Sequence, residues 1–229
     1  MALKKIISKI HRRLAKICLS PISVYCLHHV CKEFKADSMY KDDWVDINLF
    51  KEKIKKLKHQ GVIFISLTEA LDKIRRDTFR TKKYAVITFD DGYKSLYEIL
   101  SWLEENKIPV TLFINGKYLD GKSYRENPEE EYLTKEDLFK LTSKYIEIGH
   151  HGWEHTPINK MSKNEILESL NKNIKVLEKH PRYIPYWAYT YGIYTKESDS
   201  ILKENNINLV KVDFKKNYHY RGYIDREPF

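Results

Sequence analysis

The chain has 229 residues, 42% hydrophobic and 13% aromatic, which is enough to bury a sizeable core and suits one α/β domain better than two. Lysine and arginine outnumber aspartate and glutamate by 41 to 32, giving a formal +9 that favours encounter with anionic partners. Three cysteines, Cys18, Cys26 and Cys31, are an odd set that argues against a disulfide framework and for a reducing compartment. No run reaches the roughly eighteen apolar residues of a membrane-spanning helix, and charge interrupts residues 1–20 too often for a signal peptide.

Residues 1–20 nevertheless carry a pattern. Leu3, Ile6, Ile7, Ile10, Leu14 and Ile17 recur at helical spacing, lysines and arginines fill the remaining positions, and no acid occurs before Glu33. This predicts a basic amphipathic helix, which either packs its apolar stripe on the domain or lies on an anionic membrane surface. The domain proper is expected over 21–229, where apolar runs at 22–27, 62–67, 84–89, 110–114, 145–148, 183–187 and 209–212 alternate with amphipathic helices. That alternation predicts a parallel sheet. Asn48 and Thr68 are read as helix N-caps, Thr134 with Asp137 and Ser162 with Glu165 as capping boxes, and 94–105 as a helix. Residues 115–133, rich in Gly, Lys and Glu, read as a surface loop. About seven strand-helix units suit a closed or nearly closed barrel.

Two places carry chemistry. The apolar run 84–89 stops at Asp90-Asp91-Gly92, and adjacent carboxylates at the C-terminal end of a strand are costly unless paired or metal-bound. The run 146–148 leads directly into Gly149-His150-His151-Gly152-Trp153-Glu154-His155, where histidines four apart can converge on one cation. One carboxylate and two imidazoles leave coordination positions open for water and substrate, as a catalytic site needs. The second carboxylate is then placed to accept a proton.

These residues resemble the polysaccharide deacetylase family, the NodB-homology carbohydrate esterases. Thr88-Phe89-Asp90-Asp91-Gly92 matches the family's first motif, and Ile148 to His155 resembles the second, with His150 where a small residue is usual. The opening strand at Val24 to Val30 and the segments from Phe50 to Leu71 and Pro109 to Asn115 are similar too, so that nearly the whole chain from Pro21 is covered. The resemblance implies a single-domain, distorted (β/α)7-type barrel and N-deacetylation of a sugar, with Asp90 as base and Asp91, His151 and His155 as ligands of one divalent metal. Zinc is the first expectation, with cobalt, manganese, nickel or iron as alternatives.

The third motif is altered. Trp187-Ala188-Tyr189-Thr190-Tyr191-Gly192 has Thr190 where the family has proline, which implies a looser turn, and Gly152 stands for a hydroxyl residue that would help fix the histidine loop. By resemblance, the backbone N–H of Tyr191 holds the oxyanion. His219 is the candidate general acid, the one histidine after His180, while His28 and His29 are read as bordering the pocket or serving the core. Trp153, Trp187 and Tyr189 are the candidates for stacking on sugar rings, and Arg221, Asp225 and Arg226 belong to a charged tail that either closes over the mouth or is solvated.

The expected substrate is an N-acylated carbohydrate, as a lipid-linked or nucleotide-linked precursor of a surface glycan. The expected location is the cytoplasm, at the inner face of the membrane through residues 1–20. Nucleic acid is not an expected partner, because the positive charge is concentrated in one helix and no nucleic-acid motif occurs. Two alternatives are a carbohydrate-binding member of the same fold with impaired catalysis and a non-haem iron oxygenase, whose facial triad has the same ligand types.

Overall fold

The computed structural model describes residues 21–32, 44–76, 82–120 and 131–229. The amphipathic pattern at 1–20 and Cys18 lie outside the described residues. In chain order the elements begin with β1 (Ile22–Leu27), β2 (His29–Cys31), β3 (Trp44–Asp46), α1 (Ile47–His59), β4 (Val62–Phe64) and α2 (Leu67–Arg75). They continue with β5 (Lys83–Phe89), α3 (Tyr97–Glu105), β6 (Val110–Ile114), α4 (Lys135–Lys140), β7 (Ile146–His150) and α5 (Lys163–Leu177). The last are β8 (Tyr183–Ala188), α6 (Lys196–Glu204), β9 (Asn208–Lys211), β10 (Ile224–Asp225) and β11 (Glu227–Pro228).

One parallel sheet runs β10-β9-β8-β7-β6-β5-β1-β11, with β4 paired to the N-terminal half of β5. Its two ends are separated in sequence by Arg226 alone. β10 pairs with β9 and β11 with β1, so residues 224–228 bridge the gap and make a nearly closed barrel. The seven predicted strands are all present. The closing segment is not among them, because two-residue strands leave no readable period.

Both faces of a parallel sheet are covered, and β5 accordingly buries its last five residues. Side-chain alternation sorts the core. Ile87, Leu112 and Ile148 pack with Phe50 and Ile54 of α1 and Ile99 and Leu103 of α3, while Val86, Phe113 and Val210 pack with Leu71 and Ile74 of α2. Thr88 and Asp90 share the parity of Val86 and therefore its face of the sheet. A third cluster joins Trp187, Tyr189 and Leu209 to Leu170 of α5 and Ile201 of α6.

Both predicted capping boxes are present, at Thr134 with Asp137 and Ser162 with Glu165. Two cap positions differ from the sequence reading. Asp46, not Asn48, caps α1, its carboxylate accepting from the N–H groups of Asn48 and Leu49 at 2.7 and 3.0 Å. Ser66, not Thr68, caps α2 through Glu69 N–H at 3.2 Å, and Glu147 of β7 accepts from the N–H groups of Leu67 and Thr68. In each case the residue nearer the strand holds the extended backbone that a cap requires. The helix expected over 94–105 opens with a 3-10 turn at Lys94–Leu96 before α3. The ends of the expected surface loop 115–133 are buried, at Asn115, Tyr132 and Leu133. No helix among the described residues is long and apolar enough to cross a membrane.

Candidate active site

Every expected catalytic or ligating residue of the first two motifs arrives at the C-terminal mouth of the barrel. Asp90 and Asp91 follow β5, and the chain turns there through left-handed backbone at Asp91 (φ 69°) and Gly92 (φ 83°). A Cβ at Gly92 would also stand 2.9 Å from Ile114 Cδ1, a contact to which that side chain would have to yield, so the left-handed backbone is what calls for glycine. His151 and His155 lie beyond β7. Asp91 Oδ1 is 3.3 Å from His151 Nε2 and 3.2 Å from His155 Nε2, and all three side chains are buried.

The hydrogen bonding of His151 shows what this triad can hold. Its Nδ1 lies 2.9 Å from the carbonyl of Ala188; a carbonyl only accepts, so Nδ1 carries the hydrogen and Nε2 the lone pair. Burial outweighs the attraction of Asp90 and Asp91 and lowers the His151 pKa to about 4, so the ring is neutral near pH 7. A lone pair on Nε2 therefore faces a carboxylate oxygen across 3.3 Å. Two acceptors at that distance fit a cation between them. The one-oxygen, two-nitrogen donor set is that of a divalent transition metal, zinc among them.

Asp90 is held differently. Arg226 grips it with two parallel hydrogen bonds, Nη1 to Oδ1 at 2.6 Å and Nη2 to Oδ2 at 2.8 Å, and Nη1 also donates to Thr88 Oγ1 at 3.1 Å. The thiol of Cys26 approaches Asp90 Oδ2 at 3.5 Å. Burial pushes the Asp90 pKa up, but the charge of Arg226 and its hydrogen bonds prevail and hold it at about 2. The guanidinium is fully buried and lies 5.3 Å over the Phe113 ring. Arg226 is thus neither solvated nor a lid over the mouth. It belongs to the barrel wall, and sequence reasoning missed it as a functional residue.

The histidine loop is fixed from several sides. Asn115 Nδ2 donates to the carbonyls of His151 and Gly152, Asn173 to that of Gly152 at 2.8 Å, and Ser169 accepts from Trp153 N–H at 2.9 Å. Thr190 supplies what proline could not, a hydroxyl that donates to the His151 carbonyl at 3.2 Å. The turn expected to be loose is tied directly to the candidate ligand. Gly152 has φ 82°, a backbone strained for any hydroxyl residue.

A cavity of about 540 Å³ opens over these groups, lined among others by Cys26, His28, Asp90, His151, His155, Tyr191 and Arg226. His28 lines it and acts electrostatically on both Asp90 and Asp91. His29 does not reach it; its ring stacks on Trp44 at 4.6 Å and its Nδ1 donates to Val30 O. His150 points away as well, 2.9 Å from the Tyr183 hydroxyl.

His219 is not brought to the site. Its neighbours Asn217 and Tyr220 are anchored on Ile22, the first residue of β1, and on Arg75, and Ile22 pairs with Tyr84. Six strand residues, about 20 Å, separate that level from Asp90. Two of the three stacking candidates are corrected too. Trp187 and Tyr189 are 2% and 1% exposed; His150 stacks on Trp187 at 6.0 Å, and the Tyr189 hydroxyl donates to Asp199 at 2.8 Å. Neither presents an open ring face, although Tyr189 borders the cavity. Trp153 lines a separate cleft of about 220 Å³ with Glu165, Glu168 and Lys172 of α5.

A nearly closed parallel barrel with a carboxylate and two histidines converging at its C-terminal mouth, beside an arginine-bound carboxylate, defines a NodB-type barrel. The polysaccharide deacetylase pattern matches residues 78–210, and the chain belongs to that family. A peptidoglycan-N-acetylmuramic acid deacetylase, PdaC of Bacillus subtilis, is 28% identical over 158 residues, 67% of this chain and 30% of PdaC. The peptidoglycan-N-acetylglucosamine deacetylase PgdA of Listeria monocytogenes is 28% identical over 108 residues, 46% of this chain and 21% of PgdA. The chain thus spans less than a third of the length of these relatives. IcaB from Ammonifex degensii superposes with a TM-score of 0.73 at 21% identity, covering 92% of both chains. Streptococcus pyogenes PplD in complex with acetate gives 0.73 at 17% identity, covering 92% of this chain and 93% of PplD.

Proposed function

We propose that the chain is a metal-dependent hydrolase that removes the N-acetyl group from a sugar of a glycan. The observation that carries this reading is the His151 lone pair facing Asp91, next to a second carboxylate that Arg226 keeps ionised. Asp91, His151 and His155 would hold a divalent ion, which would supply Lewis-acid polarisation of the acyl carbonyl and lower the pKa of a water.

The chain's own groups carry the protons. Asp90 accepts a proton from the attacking water, and the fork of Arg226 aims its carboxylate while doing so. The backbone N–H of Tyr191, beside His155 at the cavity wall, stabilises the oxyanion that develops on the acyl oxygen. The C–N bond then breaks and the nitrogen takes up a proton, leaving acetate and the free amine. The part expected of His219 passes to His28, the cavity-lining histidine outside the Asp91-His151-His155 triad, which also acts electrostatically on both carboxylates.

Asp90→Asn and His28→Gln are the test, with elemental analysis and amine release from N-acetylated sugars measured together. Both variants are expected to keep wild-type metal content and to lose on the order of 100-fold or more in turnover. Metal lost in proportion to activity in Asp90→Asn would remove Asp90 from the role of base. Full activity in His28→Gln would return the search for the acid to the rest of the cavity.

A further inference from the structure

Lys211, in β9, is 2% exposed, and a lysine is almost never buried without a partner that offsets its desolvation. Its Nζ donates to Asp199 Oδ2 at 2.6 Å, and the other oxygen of that carboxylate accepts from the Tyr189 hydroxyl at 2.8 Å. The ammonium also stands over three tyrosine rings, 3.4 Å from the centroid of Tyr194, 4.7 Å from Tyr223 and 5.8 Å from Tyr189, where a ring face attracts a cation. Asp199 is itself fixed, because it lies in the first turn of α6, where Thr195 and Ser198 exchange cap hydrogen bonds. No step of the hydrolysis involves this pair, yet it ends on Tyr189, the residue that leads into the turn of the third motif.

Tyr189 borders the catalytic cavity, as Phe214 does, but its ring is 1% exposed against 66%. It is pinned, not presented. In the turn that follows, Tyr191 and Gly192 are both left-handed, at φ 56° and 67°, a costly backbone for a tyrosine unless its surroundings impose it. Gly192 N–H donates to the Tyr189 carbonyl at 3.0 Å and Ile193 N–H to that of Thr190 at 3.1 Å, so the geometry of the turn is set by residues 189 and 190. Thr190 is tied to the His151 carbonyl. Tyr189 is tied by its main chain to the Val210 carbonyl at 3.3 Å and by its hydroxyl to Asp199. The hydroxyl bond, shorter and made to a carboxylate, is the stronger of the two. Lys211 also accepts from Arg226 N–H through its carbonyl at 2.8 Å. That link belongs to the backbone, so replacing the side chain leaves the residue that grips Asp90 where it is.

We propose that Lys211 is a positioning residue for the hydrolysis. By holding the Asp199 carboxylate in place it fixes the Tyr189 hydroxyl, and with it the turn that presents the Tyr191 N–H to the oxyanion. This rests on the deacetylase reading above and adds to it a residue that never touches substrate.

The test uses Lys211→Met, Asp199→Asn, the two combined, and Tyr189→Phe, each in the metal-loaded full chain. Turnover is read on tri-N-acetylchitotriose and on 4-methylumbelliferyl acetate, an ester that asks for acyl hydrolysis without a sugar. Removing an oxyanion donor outright costs on the order of 100-fold or more, so a donor displaced but present is expected to cost about tenfold. That loss is expected in kcat for each single variant, with KM and metal content unchanged. The combined variant strands neither charge and keeps an amide oxygen for the Tyr189 hydroxyl, so it is expected to recover most of the loss. A combined variant as slow as the slower single one overturns the proposal, and so does wild-type kcat in Lys211→Met. If Lys211→Met does not fold, Tyr189→Phe carries the question, and wild-type kcat there is the overturning result. Hydrogen exchange gives a reading independent of turnover. Faster exchange in Tyr189→Phe confined to residues 189–192 supports the proposal, whereas exchange that rises equally in β5 and β6 marks a merely structural contact and overturns it. If the wild type hydrolyses neither probe, the deacetylase reading fails on these substrates, and the exchange pattern alone decides whether Lys211 holds the turn.

Discussion

Arg226 and Asp90 form a buried, two-bond ion pair at the mouth of the barrel. Two charges out of water are tolerable because the guanidinium fork satisfies both oxygens of Asp90; removing one partner leaves the other uncompensated. Arg226→Met is therefore expected to cost about 3–5 kcal/mol, read as a lower denaturation midpoint, and to reduce turnover while sparing the metal triad. Arg226→Lys keeps the charge and loses the fork, so a variant as active as wild type would show that orientation of Asp90 is unimportant. None of this was legible in the sequence. Asp90, Asp91, His151 and His155 stand in compact local patterns, but the partners of this pair are 136 residues apart and Arg226 sits among charges that read as a solvated tail. The aromatic residues show the same limit. Composition says that rings are plentiful, and only packing says that Tyr189 is covered and Phe214 is bare.

Among the elements, the turn between α5 and β8 is locked by His180. Arg182 N–H donates to its Nδ1 at 3.1 Å, and Nε2, 3.0 Å from the Leu138 carbonyl, donates across to the end of α4. One ring nitrogen must accept and the other donate, so the neutral form alone satisfies the turn. Burial lowers the His180 pKa, the Leu138 hydrogen bond works against that, and Arg182 adds to the lowering. The unfolded chain then binds a proton below about pH 6.5 that the folded one refuses. The contribution of His180 is complete above that pH and declines as pH falls toward the lower folded value. Wild type is expected to lose stability between pH 7 and 5 more steeply than His180→Gln in denaturant titrations at each pH; parallel curves would dismiss the effect. Helix starts were readable where a hydroxyl and a carboxylate lie three apart, as at Thr134 and Ser162. They were misplaced where two candidates compete, because at Asp46 and Ser66 the strand before the helix decides which residue is extended.

At the scale of the molecule, seven runs of apolar residues suffice to predict a parallel barrel, since each must be covered on both faces. The way the barrel closes is another matter. It depends on residues 224–228 pairing with β9 on one side and β1 on the other, a segment too short and too charged to look like a strand. Removing 224–229 opens that seam and deletes Arg226 as well. A fall of about 10 °C or more in the thermal midpoint is expected, larger than that of Arg226→Met alone. A truncated chain with the midpoint of Arg226→Met would mean that the seam contributes nothing beyond the ion pair.

The same closure sets an order of events. Synthesis delivers the carboxylates after β5 and the histidines after β7 well before the arginine that aims Asp90. While the later strands are still emerging from the ribosome, the histidines lack the Ala188 carbonyl that orients His151, and Asp90 lacks the arginine that grips it. The hydrogen-bonded site is thus complete only when the strand pairing on either side of Arg226 closes the wall.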